Sequence, residues 1–128
     1  MNATLRIILL IGLGGSVGSI LRYLTAVAVH KYYSGMFPLA TLLINVLGSF
    51  LIGIIFGCME RHQLSNPDLK FLLATGFCGG YTTFSAFAFE NVNLMQSGNN
   101  TMAFAYIAGS ILIGLTATWA GLALVKII

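Results

Sequence analysis

The chain has 128 residues, 58% of them hydrophobic and 7% charged, with a formal net charge of +3. Soluble domains carry about 25% charged residues. A water-soluble fold of this size could not hide so much apolar surface, so the composition describes a single integral membrane domain. Six basic and three acidic side chains, scattered without a stripe or cluster, exclude a nucleic-acid partner.

A membrane-spanning helix needs about 20 mainly apolar residues. Taken in chain order, residues 5–29, 38–59, 69–91 and 102–125 meet that length, which predicts an all-α domain of four transmembrane helices. The first run could pass for a signal peptide. It continues past Leu21 without an Ala-x-Ala type cleavage site, so it is kept as the first helix. Residues 30–37 join the first pair and place Gly35 before Pro38. Residues 60–68 join the second pair, hold most of the charge found in the connections and end near Pro67. Gln-Ser-Gly-Asn-Asn at residues 96–100 reads as a turn. With an even number of spans, Arg6, Arg61, Lys70 and Lys126 fall on one side and Arg22 and Lys31 on the other. The positive-inside rule then leans towards cytoplasmic termini. The bias is weak enough to allow insertion in both orientations.

Within the first span, Gly14 with Gly18, and Gly15 with Ser19, are small residues at the spacing that lets helices approach closely. The run from Gly12 to Gly18 loosely resembles a nucleotide loop, but it follows no strand and lies inside an apolar helix. Arg22 lies about 25 Å along this helix at about 1.5 Å per residue. It either snorkels to the interface as an anchor or makes an electropositive vestibule. The second span carries Thr41, Asn45, Ser49, Gly53 and Gly57, each four residues apart. Successive members advance by about 40° around the helix, so the first three make a polar stripe and the glycines wind beyond it. Lipid satisfies none of the Asn45 amide, which therefore faces a partner helix or a pore.

The third span holds the most informative residues, Gly-Gly-Tyr-Thr-Thr-Phe-Ser-Ala-Phe at 79–87. Each glycine costs a helix about 1 kcal/mol against alanine. Gly79-Gly80, followed by Tyr81, Thr82 and Thr83, predicts a break near the midplane; the alternative is a packing notch in an unbroken helix. A break frees carbonyls at the negative end of the first half-helix, which suits a cation. Phe84 and Phe87 share a face at i, i+3. Their electropositive ring edges could hold a dehydrated anion beside the Ser85 and Thr83 hydroxyls, or the rings could be a packing pair. Tyr106, Ser110, Gly114 and Thr118 repeat the polar stripe on the fourth span. Glu90 reads as interfacial, which leaves the interiors of the spans without Asp, Glu, His or Lys and argues against proton coupling. Cys58 and Cys78 lack any metal or redox spacing and read as small buried hydrophobes. So many small-residue faces predict oligomerisation, most simply a dimer.

Three segments carry a family resemblance. They are Gly-Gly-Ser-Val-Gly-Ser-Ile-Leu-Arg-Tyr at 14–23, Pro-Leu-Ala-Thr-Leu-Leu-Ile-Asn-Val-Leu-Gly-Ser-Phe-Leu-Ile-Gly at 38–53, and Gly-Phe-Cys-Gly-Gly-Tyr-Thr-Thr-Phe-Ser-Ala-Phe at 76–87. Over nearly its whole length the chain resembles the Fluc (CrcB) fluoride channels. It departs from their usual pattern at Ala40, where glycine is common, and at Ala86, often threonine. The resemblance implies an antiparallel, dual-topology homodimer in a bacterial inner membrane, with two pores exporting fluoride passively. It implies a structural sodium ion held by the backbone carbonyls of Gly79 and Thr82 where the third helix breaks. Phe84 and Phe87 would contact fluoride and Asn45 would donate an amide in the pore. Thr83, Ser85 and Ser110 would form a polar track, Tyr106 would be a pore residue, and Arg22 would sit at an aqueous vestibule. Two other readings compete. A small proton-coupled multidrug exporter would need a membrane-embedded carboxylate, typically in the first helix, where none occurs. A non-conducting assembly subunit would have no use for Asn45 or residues 79–87. An enzyme would need an acid, base or nucleophile set, which does not stand out.

Overall fold

In the computed structural model, which describes residues 1–62 and 66–128, the apolar segments are helices and no strand occurs among the described residues. Helix α1 spans Ala3–Tyr32, capped by Asn2, whose side chain accepts from the Thr4 amide at 3.0 Å. Helix α2 is Leu39–Arg61, entered from Pro38. Residues 63–65 of the charged connection lie outside the described residues.

The third apolar segment is two helices. The first, α3, covers residues 67–81: a first turn at Pro67–Leu69, a wide π-type stretch at Lys70–Cys78, and a last turn at Gly79–Tyr81. The second, α4, is Phe84–Gln96. Helix α5 spans Asn100–Ile127. The turn read at 96–100 is real. Gly98 takes φ 80°, its amide donates to Met95 O at 3.0 Å and the Asn99 amide to Leu94 O at 2.8 Å. Those two bonds make the glycine-dependent helix stop that satisfies the last carbonyls of α4. Helices α1, α2 and α5 are each long and apolar enough to cross a membrane. The α3–α4 segment, in two pieces, fits a fourth helix beside them.

Glycine faces bring the helices together in two pairs. A Cβ on Gly14 would lie 2.8 Å from the Phe77 amide nitrogen and 3.1 Å from Gly76 Cα, and one on Gly80 would lie 2.9 Å from Gly15 Cα. Helix α1 thus rests directly on the α3 backbone. Helices α2 and α5 do the same: a Cβ on Gly121 would lie 2.9 Å from the Ile54 amide nitrogen and 3.1 Å from Gly53 Cα. In lipid, helix association depends on such close packing rather than on hydrophobic burial. These small-residue faces, from which the sequence predicts a dimer, are consumed inside one chain. The ends are tied as well. Arg6 pairs with Asp68, joining the start of α1 to the start of α3. The Arg61 guanidinium donates to Val125 O at 2.5 Å, near the C-terminus of α5. Outward faces stay apolar, with Leu13 and Leu24 of α1 and Leu112, Leu115 and Trp119 of α5 exposed.

Gly121→Ala forces a methyl against the α2 backbone and should lower stability by about 1–3 kcal/mol. Gly12→Ala, where nothing lies within 4 Å, should stay within about 0.5 kcal/mol of the parent. Thermal unfolding midpoints in detergent compare the two, and equal midpoints would mean that the α2 and α5 backbones part without penalty.

Candidate functional site at the helix break

The helix breaks at two threonines, two residues beyond the paired glycines. Gly79 is helical (φ −63°, ψ −36°), whereas Thr82 (φ −76°, ψ 160°) and Thr83 (φ −149°, ψ 118°) are extended. Gly80 has a packing reason to be glycine, since α1 passes over it at Gly15. The threonines suit the break because β-branched residues favour extended backbone. Their hydroxyls also cap both ends: Thr82 Oγ1 donates to Cys78 O at 2.8 Å, and Thr83 Oγ1 accepts from the Ala86 amide at 3.2 Å.

Asn45 of α2 completes the arrangement. Its Oδ1 accepts from the Thr83 amide at 2.8 Å and its Nδ2 donates to Thr83 O at 3.0 Å. One side-chain amide thus pairs with both backbone groups of the residue at the break, as a neighbouring strand would. A consequence follows for Gly79. In a continuous helix its carbonyl would receive the Thr83 amide; that amide is given to Asn45, so the Gly79 carbonyl loses its helical donor. Thr82 O is released too: in a continuous helix it would receive the Ala86 amide, which goes to Thr83 Oγ1, and it accepts instead from Arg22 Nη1 of α1 at 3.3 Å.

Beside the break lies an open cleft of about 430 Å³, lined by Asn45 and Ser49 of α2, Thr75 and Gly79 of α3, Thr82, Thr83, Phe84 and Phe87, and Ser110 of α5. Seven of the site residues expected from the sequence therefore meet on one surface: Asn45, Gly79, Thr82, Thr83, Phe84, Phe87 and Ser110. Ser110 Oγ is buried and has no hydrogen-bond partner among the described residues. The Phe84 and Phe87 rings stand 5.7 Å apart at 43°, and Phe84 remains 79% exposed. Ser85 is off the cleft, with its hydroxyl 3.4 Å from Thr83 Oγ1.

Tyr106 lies behind this wall. Its ring is fully buried, edge-on to Phe87 at 5.1 Å and to Phe37 at 5.4 Å. Its hydroxyl donates to Glu90 Oε2 at 2.8 Å, while Thr41 Oγ1 donates to Glu90 Oε1 at 2.6 Å. Glu90 is therefore not at the end of its helix. Helix α4 runs on to Gln96, which leaves the carboxylate more than a turn inside and held by two hydroxyl donors. The sequence did carry a signal for it: Glu90 is three residues beyond Phe87 and seven beyond Thr83, on the same helical face. Glu90 also lines a second cavity of about 330 Å³ with His30, Phe37 and Asn93.

Asn45→Leu leaves the Thr83 N–H and C=O both unpaired. Each orphaned group costs about 1–3 kcal/mol when buried; with the cleft open beside them, a total near the low end, about 2 kcal/mol, is expected. Ser49→Ala, in the same wall, should be nearly silent. Unfolding midpoints read the difference, and a silent Asn45→Leu would show that the break holds without the amide.

A family model described as "CrcB-like protein, Camphor Resistance (CrcB)" matches residues 9–122. The chain is 50% identical over 122 residues to a protein of Flavobacterium psychrophilum named "Fluoride-specific ion channel FluC", covering 95% of this chain and 98% of that one. Proteins of the same name from Chlorobaculum tepidum (46% identical, 94% of each chain covered) and Leptospira interrogans (42% identical, 93% of this chain and 94% of that one) also match. With a family model spanning most of its length and relatives this similar across nearly the whole of both chains, the protein belongs to the CrcB family.

Proposed function

We propose that the chain is a passive, fluoride-selective ion channel of the bacterial plasma membrane. The observation that carries this reading is the chemistry of the cleft at the break. Its donors are uncharged and not all used: Ser110 Oγ has no partner among the described residues, and the Asn45 NH2 carries a second hydrogen beyond the one given to Thr83 O. Phe84 and Phe87 add ring edges. A small, strongly hydrated anion needs hydrogen-bond donors in place of its water, yet must bind weakly enough to leave. Thr83 would extend the polar track beside the rings, with the Ser85 hydroxyl next to it, and Tyr106 would support Phe87 from behind. The relatives' shared name supplies the identity of the ion. An anion moving outward down a negative-inside potential gains about 2.3 kcal/mol per 100 mV, so a passive pore suffices for export.

The working unit in this reading is an antiparallel homodimer with two pores. Support comes from the open side of the cleft, where Gly79, Thr75 and Phe84 are exposed in one chain. The hydroxyls and released carbonyls in this wall are unsuited to lipid and would be covered by a second copy. A structural sodium ion fits the break in chemical type. The Gly79 carbonyl lacks its helical donor, and Thr82 O, which accepts only one hydrogen bond from Arg22, keeps a second lone pair at the end of α3. Two oxygens from one chain do not fill a cation shell, and a second copy would supply more. Sodium there would contribute fixed positive charge and no chemistry. Glu90 does not reopen proton-coupled export: both of its oxygens already accept hydroxyl donors, and α1 carries no acidic residue.

Phe84→Ile tests the pore. Phe84 is too exposed to support the chain's core, so stability should hold while fluoride efflux from reconstituted liposomes falls about three- to tenfold, the worth of one aromatic contact. A fluoride electrode reads the efflux, with chloride as the control ion. Unchanged efflux removes the ring from the mechanism, and equal chloride passage refutes selectivity.

Exchanging sodium for a bulky organic cation throughout purification tests the second part. The dimer should dissociate or melt at lower temperature, and readdition of sodium should restore it. An unchanged melting curve would remove sodium from the structure.

A further inference from the structure

The resemblance implies a vestibule role for Arg22, which requires a cation free to face water. In the single chain it also has a protein partner. Arg22 is half-buried on α1, and its Nη1 donates to Thr82 O at 3.3 Å, across 60 residues of sequence. One turn further along α1, Thr25 Oγ1 lies 3.1 Å from the Tyr81 hydroxyl. Thr25 already donates to Leu21 O at 2.8 Å, so the Tyr81 hydroxyl is the donor. One turn earlier, a Cβ on Gly18 would lie 2.9 Å from the Tyr81 amide nitrogen. Gly18, Arg22 and Thr25 therefore form one stripe that grips the last turn of α3.

We infer that Arg22 is a positioning residue, which fixes the direction in which the chain leaves α3 and so aims Thr83 to Phe87 at the cleft. The consecutive carbonyls at the break are then held from two sides, Thr82 O by Arg22 of α1 and Thr83 O by Asn45 of α2. The two clamps differ in kind. Asn45 is neutral and pairs with both backbone groups of Thr83. Arg22 brings a full positive charge to carbonyls at the negative end of a helix, where a cation is favoured, and a hydrogen bond from a charged donor is stronger than one from a neutral donor. With Arg22 removed, Thr82 O loses the donor that α1 gives it and nothing on α1 directs the exit from α3. The inference rests on the channel reading only for its flux measurement; the backbone measurement below is independent of it.

The test is Arg22→Met, which keeps a long apolar stem and deletes both charge and donor. Efflux of fluoride from liposomes is followed as impermeant salt rises from about 0.01 M to about 1 M, which shortens the screening length from about 30 Å to about 3 Å. Hydrogen exchange of the peptide covering residues 82–89 is measured alongside. A positioning role predicts an efflux deficit of about tenfold that persists at high salt, as expected for loss of a charged hydrogen bond, together with faster exchange at 82–89. Arg22→Lys, which returns charge and donor, should recover much of both. A vestibule attractor predicts that the Arg22→Met variant and the parent converge at high salt with unchanged exchange, and that result overturns the inference. If the variant does not assemble, the parent protein decides alone: efflux that varies less than about twofold across the salt series supports the clamp, and a steep fall overturns it. Absence of fluoride flux in the parent, with exchange accelerated in the variant, would refute the channel reading and leave the clamp standing.

Discussion

The pairing of one asparagine amide with one threonine backbone is the interaction on which the site depends. A helix interrupted inside a membrane exposes N–H and C=O groups that lipid cannot satisfy. Asn45 answers both groups of Thr83 at once. Three features follow. The chain can run extended through Thr82 and Thr83 before helix resumes at Phe84. The Gly79 carbonyl is released from its helical partner. The two phenylalanines are carried on the first turn of a new helix, so their direction is set by the break and not by the axis of α3. An unbroken helix would keep the same residues but would give them one common axis.

The glycines do the complementary work. Gly14, Gly18 and Gly80 bring α1 onto α3, and Gly53 and Gly121 bring α2 onto α5. Close backbone contact in these pairs leaves little room for side chains between them. The polar residues of the same helices therefore gather where the pairs meet. The i+4 series on α2 displays the division along a single helix. Thr41 reaches Glu90, Asn45 reaches the break, Ser49 lines the cleft, and Gly53 and Gly57 turn away onto α5. A rotation of about 40° per step is enough to pass from one task to the next.

That series is legible in the sequence, because helical periodicity in an apolar background is a strong signal. The four segments and the turn at Gly98 are legible for the same reason. The position of the break is not. Glycine propensity points to residues 79 and 80, but tertiary packing overrides propensity, and Gly80 serves the contact with Gly15. The partners of Glu90 are not legible either, because hydropathy alone does not show that a carboxylate will find two hydroxyls. The small-residue faces are readable as interfaces, yet spacing does not say whether the partner helix belongs to the same chain or to a second copy. The Arg22 contact joins residues 60 apart and has no local signature at all.

The placement of charge around the cleft is the last element of the design. None of the residues lining the cavity at the break is charged. Arg22 is turned onto Thr82 O, and Glu90 stands behind Phe87 with its oxygens held by Thr41 and Tyr106. Each charge is used to fix a neighbouring group. In the proposed channel, a free guanidinium at the cleft would hold a small anion too firmly for it to move on, and a free carboxylate would repel it. Committing both to hydrogen bonds keeps the structural benefit of the charges, which neutral groups would supply more weakly, and leaves the wall to hydroxyls, one amide and two rings. The polar atoms that remain unpaired there, Ser110 Oγ among them, are the ones that, in the proposed channel, would have hydrogen-bonding capacity to offer an ion.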